Sequence, residues 1–165
     1  MSNTLKITKY FLIFLVIIIL GIVGYCIYLQ IEDYRLKSDP KLKELKSLFT
    51  KFFNRSTPWT GNLSSLNNRD IMKETELYRG EKSYTINKER VYICLKNENN
   101  EYYDLNMLIY VLAHEYSHVI AKSIGHTDEF HAIFADLLVE LTDAGIYDPS
   151  QQIDTNYCHH GDDLK

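Results

Sequence analysis

Two histidines four residues apart, with a glutamate directly after the first, form the run His114-Glu115-Tyr116-Ser117-His118. These types at this spacing can hold a metal ion and supply a base beside it. In a helix, residues four apart lie one above the other, so His114 and His118 offer two imidazoles to one point. Glu115 lies roughly 100° around the helix from His114, near the open side of such a metal. Ligands, an activated water and a base are the minimum for metal-assisted peptide hydrolysis. The plainer reading is a core helix whose histidines are satisfied by hydrogen bonds. Burying a glutamate beside two stacked imidazoles would then be costly without purpose.

A catalytic zinc usually takes three protein ligands and leaves one position for water. His126 is the first candidate for the third, because Gly125 before it lets the chain turn back toward the His114/His118 pair. Glu140, on the next expected helix, and His131 are rivals at the two edges of that helix's buried stripe. For both, a solvated helix flank is the competing reading.

The metal-binding pair needs a helix to hold it. Asp104 can cap one, and no Pro or Gly interrupts Leu105 to Ile124. Leu105, Leu108, Ile109, Leu112, Val119 and Ile120 supply the apolar stripe, with Gly125 ending the helix. Thr127 can cap a second helix from Asp128 to about Asp143, closed by Gly145. Upstream, Ser83–Asn87 and Val91–Leu95 alternate as two strands joined by a turn over 87–90. Residues 69–80 fit a short helix or an edge strand. Asp39-Pro40 starts an amphipathic helix over 40–53 that could pack on the domain or lie on a membrane, and packing is preferred. Ser56 to Asn68 reads as a loop, with Trp59 as its anchor to the core.

The segment His114 to His131, HEYSHVIAKSIGHTDEFH, resembles the SprT-like and WLM zinc metalloproteases. That group pairs an H-E-x-x-H helix with a later G-H-x-x-x-F element, matched here by Gly125, His126 and Phe130. The longer run from Tyr84 to Tyr157 is similar to small metalloprotease-like proteins of large DNA viruses, which often carry an N-terminal membrane segment. The resemblance implies an α+β, minimal zincin-like domain. His114, His118 and His126 would be its zinc ligands and Glu115 its general base, acting on a protein or peptide substrate. The cellular members repair protein–DNA crosslinks with additional DNA-binding parts. This chain has no such parts, so that role is not carried over.

Residues 10–29 contain no charged side chain over twenty positions. At 1.5 Å per residue they reach about 30 Å, the hydrocarbon thickness of a bilayer. A single-pass anchor is expected, in a host or virion membrane if the chain is viral. The expected organisation is a flank over 1–9, the span over 10–29, a basic juxtamembrane segment over 30–60, the catalytic domain over 61–150 and a tail over 151–165. Lys6 and Lys9 precede the span, whereas Arg35, Lys37, Lys41, Lys43 and Lys46 follow it. This bias places the domain on the cytoplasmic side. The sequons Asn54-Arg55-Ser56 and Asn62-Leu63-Ser64 point the other way, but such tripeptides arise by chance in an Asn-rich chain. The three cysteines, Cys26, Cys94 and Cys158, form no disulfide framework and suit a reducing compartment.

After the span the chain carries 16 basic and 22 acidic residues, a net charge of −6, which argues against a nucleic-acid partner. The local basic run from Arg35 to Arg55 could meet anionic lipid headgroups or simply be a solvated face. In the tail, Tyr157 could donate to an oxyanion, although a packed tyrosine is preferred, and Cys158-His159-His160 reads as a solvated end. Two other classes stay open: a non-catalytic zinc protein whose fourth ligand is Cys158 or His159, and an amidase. Oligomeric state and substrate identity are not legible.

Overall fold

A computed structural model of the protein describes residues 3–154 and 157–159. The chain forms two compact units, residues 1–36 and 37–165. The first is helix α1, Asn3–Lys37, whose last residue begins the second unit. Leu, Ile, Val and Phe follow one another around all its faces, with no polar stripe to seat against a core. From Ile7 onward it is long and apolar enough to cross a membrane. The helix runs beyond the expected 10–29 span at both ends, since the flanking polar residues continue it without Pro or Gly.

The second unit starts earlier than the expected boundary at residue 61, because helix α2, Pro40–Phe53, is part of it. The Asp39 carboxylate caps this helix by accepting the Lys41 N–H at 2.9 Å. Leu42, Leu45, Phe49 and Phe52 fall on one face and are buried, so the helix packs on the domain as expected. Each such side chain contributes about 1.5–3 kcal/mol of burial. Trp59 is also buried, against Phe52 and Phe53, and anchors its loop as expected. That loop is partly ordered as a 3-10 helix, Gly61–Asn68.

Residues 69–80 form both alternatives in succession. A one-turn helix α3, Ile71–Glu74, leads into strand β1, Glu76–Gly80. Strands β2, Tyr84–Ile86, and β3, Arg90–Cys94, form the expected hairpin. The hairpin is antiparallel, but a third strand makes the sheet mixed. Its order is β1-β3-β2, with β1 parallel to β3. Leu77, Val91 and Ile93 bury its inner face, while Tyr78, Tyr92 and Tyr84 stack across the outer face with centroids 4.9 and 4.7 Å apart.

Helix α4, Leu105–Ile120, is buried on nearly every side, between the sheet, the 3-10 segment and helix α5, Asp128–Asp143. The Asp104 and Thr127 caps act as expected, accepting the N–H groups of Asn106 and Phe130. The end of α4 does not match the expectation. The helix stops at Ile120, four residues before Ile124, and Ala121 is already extended (φ −57°, ψ 143°). Two tertiary partners hold this break open. The Lys88 ammonium, on the hairpin turn, donates to the carbonyls of Ala121, Lys122 and Ser123. The Glu129 carboxylate accepts the N–H groups of Lys122 and Ser123 at 3.1 and 2.9 Å.

The cysteine expectation is overturned. Cys94, at the end of β3, and Cys158 are joined by a disulfide with Cα atoms 6.5 Å apart, across 64 residues. The tail is therefore not a solvated end at this point. Tyr157 is buried, and the Cys158 N–H donates to the Tyr103 hydroxyl at 2.8 Å. These contacts bring the two sulfurs together. Cys26 is the one free cysteine of the three.

Candidate metal centre

The early stop of α4 makes the third histidine available. Had the helix continued to Ile124, His126 would lie roughly 12 Å farther along the axis than His118, at 1.5 Å per residue. Instead the chain leaves at Ala121, and Gly125 takes φ +84°, a left-handed conformation open to glycine. His126 then folds back over the first turn of the motif. Candidate ligand atoms of His114, His118 and His126 all lie within 4.8 Å of one another. The Nε2 atoms of His114 and His126 are 3.1 Å apart. Two nitrogens on a tetrahedral zinc at 2.0–2.1 Å would be separated by roughly 3.3 Å, a spacing the His114–His126 pair nearly matches, and His118 lies close enough to complete a three-nitrogen set.

The electrostatics point the same way. Burial, then the neighbouring His118, His126 and His131, push the pKa of His114 down to about 3. Burial, then His126 and Lys88, lower that of His118 to about 4. Both imidazoles are therefore neutral at ordinary pH, the form that donates a lone pair to a metal. Phe130 walls the cluster, with its ring 4.9, 4.3 and 4.8 Å from those of His114, His118 and His126. The loop carrying His126 is tied at both ends, by the Glu129 contacts and by the Ser123 and Thr127 hydroxyls 2.7 Å apart. Hydrogen bonds from Ser123 and Lys122 hold the Glu129 carboxyl at about 2, so this tie persists through mild acid.

A pH dependence follows for the metal-free domain. The unfolded chain protonates these two histidines near their ordinary value of 6.5, while the folded chain resists to about 3 and 4. The unfolded state thus takes up more protons as pH falls, and stability declines with it. The melting temperature of chelator-treated residues 37–165 is expected to drop between pH 7 and 5, above the carboxylate range. A flat profile there would contradict the buried, neutral pair.

Glu115 is buried beside the cluster, and its carboxylate accepts a hydrogen bond from Thr85 Oγ1 at 2.7 Å. The same hydroxyl reaches the Glu115 carbonyl at 3.2 Å. Thr85 is a site residue that motif reading missed. The available signal was its inward register in β2 between the outward Tyr84 and Ile86, but the hairpin's partner helix was not known. A cleft of about 480 Å³ opens here, lined by His114, Glu115, His118 and His126 on one side and Ser83–Thr85 on the other.

The rival ligands lie elsewhere. Glu140 pairs with Arg55 at 2.5 Å, and Arg55 also stacks 3.6 Å over Trp59. His131 is exposed, its ring 6.3 Å from that of His126, and stands outside the cluster. The Tyr157 hydroxyl donates to the Cys94 carbonyl and bonds Ser83 Oγ at 2.7 Å, so it is a packed tyrosine that does not line the cleft. Burial pushes its phenol pKa upward. The disulfide removes Cys158 as a fourth ligand. The His159 side chain and His160 lie outside the described residues.

No family model and no solved structure matches the chain. It is 41% identical over 119 residues to the uncharacterized protein 136R of Invertebrate iridescent virus 6, covering 70% of this chain and 67% of that one. It is 36% identical over 117 residues to the uncharacterized protein 042R of Invertebrate iridescent virus 3, covering 70% and 72% of the two chains. An uncharacterized protein of Acanthamoeba polyphaga mimivirus is 28% identical over 116 residues, which is 66% of this chain and 58% of that protein. The α+β chain with its apolar N-terminal helix and histidine cluster thus belongs to the family of viral proteins that includes 136R and 042R.

Proposed function

We propose that the chain is a membrane-anchored zinc peptidase with a zincin-like domain. The observation that carries this reading is the convergence of His114, His118 and His126 beside the buried Glu115, in a cleft open to solvent. An all-imidazole donor set suits a borderline transition metal such as zinc rather than calcium or magnesium, which take oxygen ligands. When bound, zinc supplies a Lewis acid that acidifies water and polarises a peptide carbonyl. Glu115 accepts the proton of the attacking water and returns it to the leaving amine. Thr85 fixes the orientation of that carboxylate. β2 is an edge strand beside the cleft, and an extended peptide added along it would present its carbonyls to the site. Helix α1 serves as the anchor in this reading.

The test is cleavage of a mixed peptide library by zinc-loaded residues 37–165. Cleavage abolished by chelation and restored by zinc is expected. A zinc-loaded, folded domain that cuts no peptide would overturn the peptidase reading. Thr85→Val keeps the side-chain shape but removes the donor. A hydrogen bond to a charged group contributes about 1.5–3 kcal/mol, so at least about a tenfold fall in kcat is expected, with zinc content unchanged. Unaltered kcat would show that Thr85 does not orient the base.

A further inference from the structure

Two features of the globular unit bear on the compartment in which it folds. The first is the Cys94–Cys158 disulfide, set within a packed corner. Tyr157 bonds Ser83 and the Cys94 carbonyl, and its ring lies 4.7 Å from that of Tyr103. Such bridges form and persist in oxidising compartments and are rare where glutathione keeps thiols reduced. The second is the sequon Asn54-Arg55-Ser56 at the end of α2. Arg55 turns inward to Glu140 and Trp59, which leaves Asn54 and Ser56 exposed on either side of it. The other sequon is less suited, because the Asn62 side-chain amide donates to Asp136 at 3.0 Å, a bond that a glycan would disturb.

We propose that residues 37–165 fold on the non-cytoplasmic, oxidising side of the membrane and that Asn54 carries an N-linked oligosaccharide. This rests on reading α1 as the membrane span. The basic residues after the span favour the opposite orientation, yet from Lys37 onward they belong to the folded unit. Those residues lie within roughly 15–20 positions of the span's end, where the bias acts, but the domain they lead is long, and long domains translocate largely regardless of charge. A disulfide and an accessible acceptor in one unit outweigh that bias.

The test uses the full chain expressed in insect cells, with sealed microsomes and three readouts. Carbonate extraction reports integration on its own, and release by carbonate would defeat the anchor reading itself. With the chain integrated, the expected result is a globular unit protected from added protease. It should show a mobility shift removed by peptide N-glycosidase and absent in Asn54→Gln but kept in Asn62→Gln. Cys94 and Cys158 should resist maleimide tagging until reduced. An integrated chain whose globular unit is digested from outside, or whose two thiols tag without reductant, would overturn the orientation. A protected chain with no glycan, or with a shift that survives Asn54→Gln, would overturn the assignment to Asn54.

Discussion

Glu115→Gln is expected to leave zinc content and melting temperature close to native while lowering kcat by about 10²–10⁴-fold, the usual share of a general base. The substitution is nearly isosteric, and the amide oxygen can still accept from Thr85 Oγ1. The ligands His114, His118 and His126 are untouched. What is lost is the capacity to take a proton from water and give it to the departing amine. The readout is single-turnover peptide cleavage by residues 37–165 at matched zinc occupancy. Proteolysis retained at the native rate would remove Glu115 from the mechanism. A variant that lost zinc would instead show that the glutamate holds the site together.

The second large effect concerns His126. Its replacement by Ala removes one of three nitrogens from the cluster. Loss of an outer-shell partner alone typically weakens metal binding 10–100-fold, so loss of a direct ligand should exceed about 100-fold. Competition with a chromophoric chelator measures this directly. His131→Ala should leave the affinity near native, since that exposed ring is outside the cluster. Glu140→Gln should also retain zinc, its cost appearing as stability through the Arg55 pair. Native affinity in His126→Ala would refute the three-histidine centre.

Much of this site is legible because its signals are local. The four-residue spacing of His114 and His118, the Asp104 and Thr127 caps, and the helical period of α2, α4 and α5 all act within a few turns. The features that were not legible depend on partners distant in the chain. Helix α4 ends at Ile120 because Lys88 and Glu129 hold the next residues open, and neither lies in the helix's own sequence. Thr85 gains its role from the register that faces β2 toward α4. Strand β1 is too polar to announce itself and is ordered by parallel pairing with β3. The Cys94–Cys158 bridge spans 64 residues, and three cysteines in a sequence carry no geometry that would pair two of them.

The most direct measurement is X-ray absorption at the zinc edge on purified residues 37–165 loaded with one equivalent of zinc. The expected spectrum has three imidazole nitrogens and one exchangeable oxygen at roughly 2.0–2.1 Å, an open tetrahedral site. Failure to retain zinc, or a fourth protein ligand closing the coordination sphere, would contradict a hydrolytic metal centre.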